Sequence, residues 1–277
     1  MMQKHQARAI VVILLLVWSS LLSAAPKAVL IPFWNVSNEA STATIDHSVW
    51  QTILTGYLNT NHSSAIHRFN YAALKDNVVD SKKLDDYLSS LQQLEPRSYS
   101  KAEQKAYWIN LYNALTIQVV LAAYPVKSIT QIHQGWFSFG PWNDVLAEVA
   151  EQKLTLNHIE HGILRPIWND PRVHYAVNCA SFGCPNLSPK AYTAANMEKL
   201  LEQAAKEYVN HPRGVKFLSD DYLMVSSIYR WYRSDFDRND GGVIAHLVRY
   251  ARPSLAMRLD GFKGTIDHDY DWKLNRP

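Results

Sequence analysis

The sequence predicts an α+β fold, a helix-dominated single domain with a small sheet around a central buried helix. Three observations lead there. The segment Ala102 to Tyr124 contains neither Gly nor Pro and is apolar almost all round, as a helix enclosed by other elements must be. Apolar residues recur at helical spacing in further stretches, among them Val49 to Leu58 and Leu84 to Leu94. Candidate strands, by contrast, are few and short.

Taken in order, residues 1–25 read as a secretory signal peptide: Lys4 and Arg8 precede the apolar run Ile10 to Trp18, and small residues around Ser23, Ala24 and Ala25 offer cleavage after Ala24 or Ala25. Residues 26–46 mix Pro32, Trp34 and Asn35 with Ser and Thr and read as an extended arm. Residues 47–277 show no internal repeat and no linker, so they read as one globular domain. Its first helix begins at His47, and a second lies behind Asp80 or Ser81 as N-cap. Ser100 and Glu103 form a capping-box pattern for the central helix, which Pro125 stops. Trp136 to Trp142 is an aromatic loop with Gly140 and Pro141. Lys153 to Leu156 reads as a short strand, Asn157 as the cap of a short helix through Ile163, and Val173 to Asn178 as the best strand, running into Cys179. A charged amphipathic helix (194–209), a hairpin (Val215–Leu218 with Tyr222–Val225), helices at 226–232 and 242–250 and a short tail complete the chain.

Composition narrows the function classes. With 277 residues, 47% of them hydrophobic and 19% charged, the chain buries a core and is not disordered. A net charge of +3 is too small and dispersed for a polyanion partner, which excludes nucleic acid. Losing Lys4 and Arg8 with the signal peptide takes that +3 to +1. No later segment is long enough to span a bilayer, so the mature protein is expected to be periplasmic or secreted, with no membrane span after signal cleavage. No cofactor motif is present.

Both cysteines fall in one segment, His174 to Pro185. Two readings stand side by side: a Cys179–Cys184 disulfide that staples the loop in an oxidising compartment, or a nucleophilic Cys179 at the end of a strand. A nucleophile needs a base, and His161 or His174 supplies one, with Glu160 or Asp170 to orient the imidazole. Metal is not expected, because His158, His161, His174, Cys179 and Cys184 do not follow a paired-ligand spacing. Asp235 to Gly241 alternates oxygen ligands but misplaces its Gly and has His246 where a calcium loop has Glu, so it reads as a solvated turn. Trp231, Asp235 and Phe236 read as a packing corner. In the central helix, Asn110 and Asn113 are amides in an apolar setting; they, with Trp108, either cap neighbouring loops or bind substrate.

These segments resemble the domain of unknown function 547 family in its bacterial, exported branch. The resemblance rests on Ala106-Tyr-Trp-Ile-Asn-Leu-Tyr-Asn-Ala114, Ile159-Glu-His-Gly-Ile-Leu-Arg165, His174-Tyr-Ala-Val-Asn-Cys-Ala-Ser181 with Cys184-Pro185, Ser227 to Phe236 and Tyr270 to Asn275, spread over residues 100–275. It implies a shared fold and keeps Glu160, His161 and Arg165 together; it implies a Cys at position 179 and often a Ser at 184, which favours a reactive Cys179 over a required disulfide. The resulting expectation is a thiol-dependent hydrolase or acyl transferase acting on a peptide-like or amide substrate of the cell envelope. Cys179 attacks, His161 or His174 moves the proton, Glu160 orients it, and Asn110, Asn113, Trp108 and Arg165 contact substrate. The alternative is a non-catalytic periplasmic binding or assembly module whose aromatic loop meets a glycan or partner protein, with Cys179 and Cys184 oxidised.

Overall fold

The computed structural model describes residues 26–132 and 139–277, with the backbone alone at Asn239 and Asp240. Residues 1–25, read above as a signal peptide, and residues 136–138 of the aromatic loop lie outside the described residues. Helices α1 (Ser48–Tyr57), α2 (Tyr71–Asp76) and α3 (Val78–Gln92) precede the long α4 (Lys101–Ala123). The side chain of Ser100 accepts the Glu103 N–H at 3.3 Å, capping α4 as the sequence suggests. The Glu103 carboxylate, however, reaches Ile45 N of the arm rather than closing the box. Helix α4 ends where Tyr124 turns extended before Pro125. Every residue from Glu103 to Ile117 is buried, so this helix is enclosed around its whole circumference, with α2 and α3 among its neighbours. Helix α3 begins at Val78, earlier than expected, because Asn77 Oδ1 accepts Asp80 N and so is the cap.

Beyond α4 comes the hairpin β3 (Ala147–Val149) and β4 (Gln152–Leu154), then α5 (His158–Leu164), a π-helix that continues into α6 (Arg165–Trp168). The expected cap Asn157 makes no capping bond; Thr155 Oγ1 accepts His158 N instead. The segment expected to be a strand, Val173 to Asn178, is a correction: Val173–Ala176 forms the short helix α7. Asp170 Oδ1 accepts Arg172 N at its start, no neighbouring strand is available to pair with it, and its side chains are buried on both sides. Local β-propensity gives way to that packing.

Helix α8 (Met197–Val209) leads to a three-stranded sheet, β5 (Val215–Phe217), β6 (Tyr222–Ser226) and β7 (Thr265–Asp269). The expected β5–β6 hairpin is antiparallel, Val215 facing Val225, whereas β7 from the tail runs parallel to β6 with Ser226 opposite Asp269. Between them lie α9 (Ile228–Trp231), α10 (Arg233–Asp240), α11 (Val243–Tyr250) and α12 (Pro253–Leu259). Asp235 therefore sits in a helix and not in a solvated turn. A short pair, β1 (Leu58–Asn59) with β2 (Arg68–Phe69), completes the strands of the described residues.

Two apolar cores result. The larger surrounds α4; the smaller gathers Tyr208, Leu223, Tyr229, Phe236 and Leu247. Helix α7 straddles them, giving Val173 and Ala176 to the first and Tyr175 to the second. The loop that leaves this seam carries both cysteines. Among the described residues no helix is long and apolar enough to cross a membrane.

Candidate active site

Two residues of α4 hold the cysteine loop. Asn113 donates to Ala176 O at 2.9 Å and accepts Asn178 N at 2.8 Å. One turn earlier, Asn110 makes the same two-way clamp on Tyr192, at 2.8 and 3.0 Å. Both amides are buried with their bonds directed at backbone, and Trp108 packs against Trp34 and Tyr107 in the core. Of the two readings the sequence leaves open, Asn110 and Asn113 take the loop-holding one here, and Trp108 lies in the core. Asn113→Ala strands a buried N–H and a buried carbonyl and should cost about 2–4 kcal/mol in a denaturant titration. A change below about 0.5 kcal/mol would show that the loop holds itself.

After Asn178 the chain turns sharply, with Ala180 in the left-handed region at φ 58°. The tail seals the loop: Phe182 N donates to Lys273 O, Gly183 N to Asp271 O and Asn275 N to Ala180 O. A side chain at Gly183 would meet Asp271 N at 2.8 Å and the Tyr270 ring at 2.9 Å, so only glycine allows this approach. Tyr270 is thereby laid over the loop.

The Cys179 sulfur has three polar neighbours: Tyr270 OH at 3.0 Å, Cys184 Sγ at 3.1 Å and Ser181 Oγ at 3.2 Å. Once Cys179 is a thiolate, all three can only be donors toward it. Ser181 has a single proton for two acceptors, because Tyr270 OH is also within 3.1 Å of its Oγ. Burial pushes the Cys179 thiol up, but the bonds from Cys184, Ser181 and Tyr270 outweigh it and leave it below its ordinary value. Cys184 moves the opposite way, raised by burial and by the adjoining Cys179. The sulfurs are unbonded, and Cys179 is the more exposed residue of the two.

The predicted bases lie elsewhere. Neither His161 nor His174 hydrogen-bonds to Cys179; both belong to a buried charge network beside it. Arg165 makes a two-pronged ion pair with Asp235, at 2.7 and 3.2 Å, and its Nη1 also reaches His161 Nδ1 at 3.0 Å. A guanidinium always donates, so His161 Nδ1 is an acceptor and the proton sits on Nε2. Burial, reinforced by Arg165, lowers His161 to about 4, so at neutral pH the ring is uncharged. His161 as a whole is 5% exposed. The structure thus places His161 in the charge network, with Nδ1 turned to Arg165. His174 Nε2 bonds Asp235 Oδ2 at 2.8 Å, and the ring stacks on Tyr232 with centroids 3.9 Å apart.

Glu160 sits at the centre, 3.6 Å from His174 Nδ1 and 3.9 Å from His161 Nδ1, and accepts Tyr112 OH at 3.2 Å. Burial opposes its charge, yet His161, His174 and Arg165 hold its carboxyl at about 2. Its negative charge is near enough to oppose the Cys179 thiolate, and both charges raise Tyr112 and Tyr232, which burial raises first. Tyr112 and Tyr232 thus feel both the network and the thiol. Asp170, the other carboxylate considered, is taken by Lys105 and Arg172. Arg165 faces this network and Pro26 O rather than a substrate. The π-helix frees carbonyls that the arm uses: Val29 N donates to His161 O and Ile31 N to Gly162 O.

Residues 96–209 match the family model described as "Protein of unknown function, DUF547". This segment is a DUF547 domain. No curated protein and no solved structure matches the chain. The DUF547 segment contains Glu160, His161, Arg165, His174 and both cysteines, but Asp235 and Tyr270 lie beyond it. Sequence reasoning missed Tyr270, Ser181, Tyr112 and Tyr232 as site residues. Each lies inside a motif quoted for the DUF547 resemblance, and that is the signal that marks them. Among the described residues no group of three His, Cys, Asp or Glu side chains is placed to hold a metal ion.

Proposed function

We propose that this DUF547 protein is a thiol-dependent hydrolase or acyl transferase that attacks a peptide-like or amide carbonyl of the cell envelope through Cys179. The observation that supports it is the convergence of Tyr270 OH and Cys184 Sγ on the Cys179 sulfur, with the Ser181 hydroxyl shared between the sulfur and Tyr270, which favours the thiolate without an imidazole in contact. The sulfur bonds to the carbonyl carbon, and the oxygen takes the negative charge. Tyr270 OH, 3.0 Å from the sulfur, is within reach of an oxygen on a carbon joined to it. As the tetrahedral species collapses, the amine departs with a proton passed through the Ser181–Tyr270 hydroxyl pair, which solvent reloads. Water or a second nucleophile then takes the acyl group from sulfur. The export pattern of residues 1–25 supports an envelope substrate.

An aromatic wall supports the same reading. Tyr270 touches Trp272 and Trp231 at 4.6 and 4.8 Å between centroids, and Trp272 touches Phe139 at 5.4 Å and Trp142 at 5.7 Å. Phe139 is 63% exposed, so the wall runs from surface to thiol. The same wall favours the second reading, a module that binds a glycan or partner without chemistry.

Acylation by p-nitrophenyl acetate, followed by intact mass, separates the two. The folded protein is expected to acquire one acyl group on Cys179 at neutral pH, and Cys179→Ala to acquire none. Tyr270→Phe removes a donor to a charged acceptor, worth about 1.5–3 kcal/mol, so the pH of half-maximal rate should rise by about 1–2 units. Labelling of Cys179 no faster than in denatured protein would discard the enzyme reading in favour of the binding module.

A further inference from the structure

We infer that Cys179 and Cys184 are a working dithiol with thiol–disulfide exchange activity, in which Cys179 attacks a low-mass disulfide and Cys184 resolves the mixed disulfide. This rests on Cys179 being the reactive thiol and not on the acyl chemistry. The sulfurs stand 3.1 Å apart and need to approach by only about 1 Å to form a bond. The backbone between them is held in place: besides the tail contacts, Tyr208 OH donates to Gly183 O and Arg213 Nη1 to Phe182 O. Little rearrangement therefore separates the reduced pair from the closed ring.

The two thiols are not equivalent. Cys179 is half-buried and Cys184 is 4% exposed, so an incoming disulfide meets Cys179 first. Burial also raises Cys184, which keeps it protonated while Cys179 reacts. The Cys179 N–H already points at Cys184 Sγ from 3.0 Å, a donor in place for the negative charge that Cys184 carries when its turn comes. In the first step the Cys179 thiolate attacks one sulfur of the disulfide and expels one thiolate. Cys184 then yields its proton to that thiolate, and its sulfur attacks Cys179 Sγ and expels the second. Two electrons pass from the protein to the disulfide, which leaves as one thiol and one thiolate, the latter taking from solvent the proton that Cys179 released on ionising; excess thiol reverses both steps. The closed ring has no nucleophile, so the same exchange switches the Cys179 site off.

Glutathione disulfide, added to the purified chain at neutral pH and quenched with acid, tests this by intact mass and peptide mapping. The wild-type chain should lose two hydrogens through a Cys179–Cys184 bridge without a lasting adduct. Its acylation by p-nitrophenyl acetate should fall about tenfold or more and return with reduced glutathione. Cys184→Ser should trap one glutathione on Cys179, and Cys179→Ser should take up none. A lasting adduct on wild-type Cys179, or first attack through Cys184, overturns the assignment of roles. No exchange in a chain that acylates overturns the dithiol alone, whereas exchange without acylation sustains it and discards the acyl chemistry.

Discussion

Asp235→Ala is expected to destabilise the fold by about 3–5 kcal/mol, because it leaves a buried guanidinium without its counter-charge. Arg165 is 3% exposed at its side chain and Asp235 10%, so water does little to replace the lost partner. The same substitution removes the acceptor of His174 Nε2. Asp235→Asn keeps the shape and one acceptor and should cost less. The pairing is best isolated by a double variant, Arg165→Met with Asp235→Leu, whose loss should be smaller than that of Asp235→Ala, since neither charge is then left alone. Urea unfolding midpoints measure all three. A shift of less than about 0.5 kcal/mol for Asp235→Ala would mean that solvent reaches the pair and that it does not hold α10 against α6.

A steep loss of stability between neutral pH and pH 4 is the second expectation, and its source is histidine. Burial lowers both His47 and His161 from an ordinary 6.5 to about 4. In the unfolded chain each takes a proton below 6.5, whereas in the folded chain each does so only below about 4. Between those values the unfolded state binds more protons, so falling pH favours unfolding by about 3 kcal/mol for each ring. Glu160 adds a later loss: its folded value of about 2 lies below the ordinary 4.5, so its stabilisation is complete above 4.5 and disappears as pH falls through 2. His47 is the cleaner ring to test. It bonds Tyr87 OH at 2.7 Å, away from the charge network. His47→Gln should flatten the unfolding free energy between pH 6.5 and 4 by about one proton, whatever its effect at neutral pH. An unchanged slope would show that His47 gains its proton in the folded state as readily as in the unfolded chain.

The parts of this fold that were legible in the sequence are those decided within a turn or two of chain. Ser100 caps α4 and Pro125 ends it because both effects act on neighbouring backbone. Likewise the β5–β6 hairpin follows from alternation around Ser219 to Asp221. Helix α7 was not legible: Val173, Tyr175 and Val177 favour a strand, and only the lack of a pairing partner and burial between two cores decide otherwise. In the site, Cys179 stood out by chemistry alone, and Glu160 with His161 by proximity to it. The role of His161 could not be read, because it depends on which nitrogen Arg165 occupies, a matter of side-chain direction. Tyr270 comes to the thiol from 91 positions away, carried by a β7 that pairs in parallel with β6. Asp235 looked like packing because its partners lie 61 and 70 residues distant.

That late arrival of Tyr270 has a bearing on how the protein is made. A nascent chain that has passed Cys184 but not yet Tyr270 already contains both cysteines and the whole DUF547 segment. It still lacks the phenol that donates to the sulfur, and the Asp271, Lys273 and Asn275 backbone groups that fix the loop. In a chain cut short before Tyr270, the Cys179 sulfur would keep Ser181 and Cys184 as neighbours but lack its phenol donor. Docking of β7 and of the residues that follow it therefore completes the polar surroundings of the sulfur only after the whole DUF547 segment has been made.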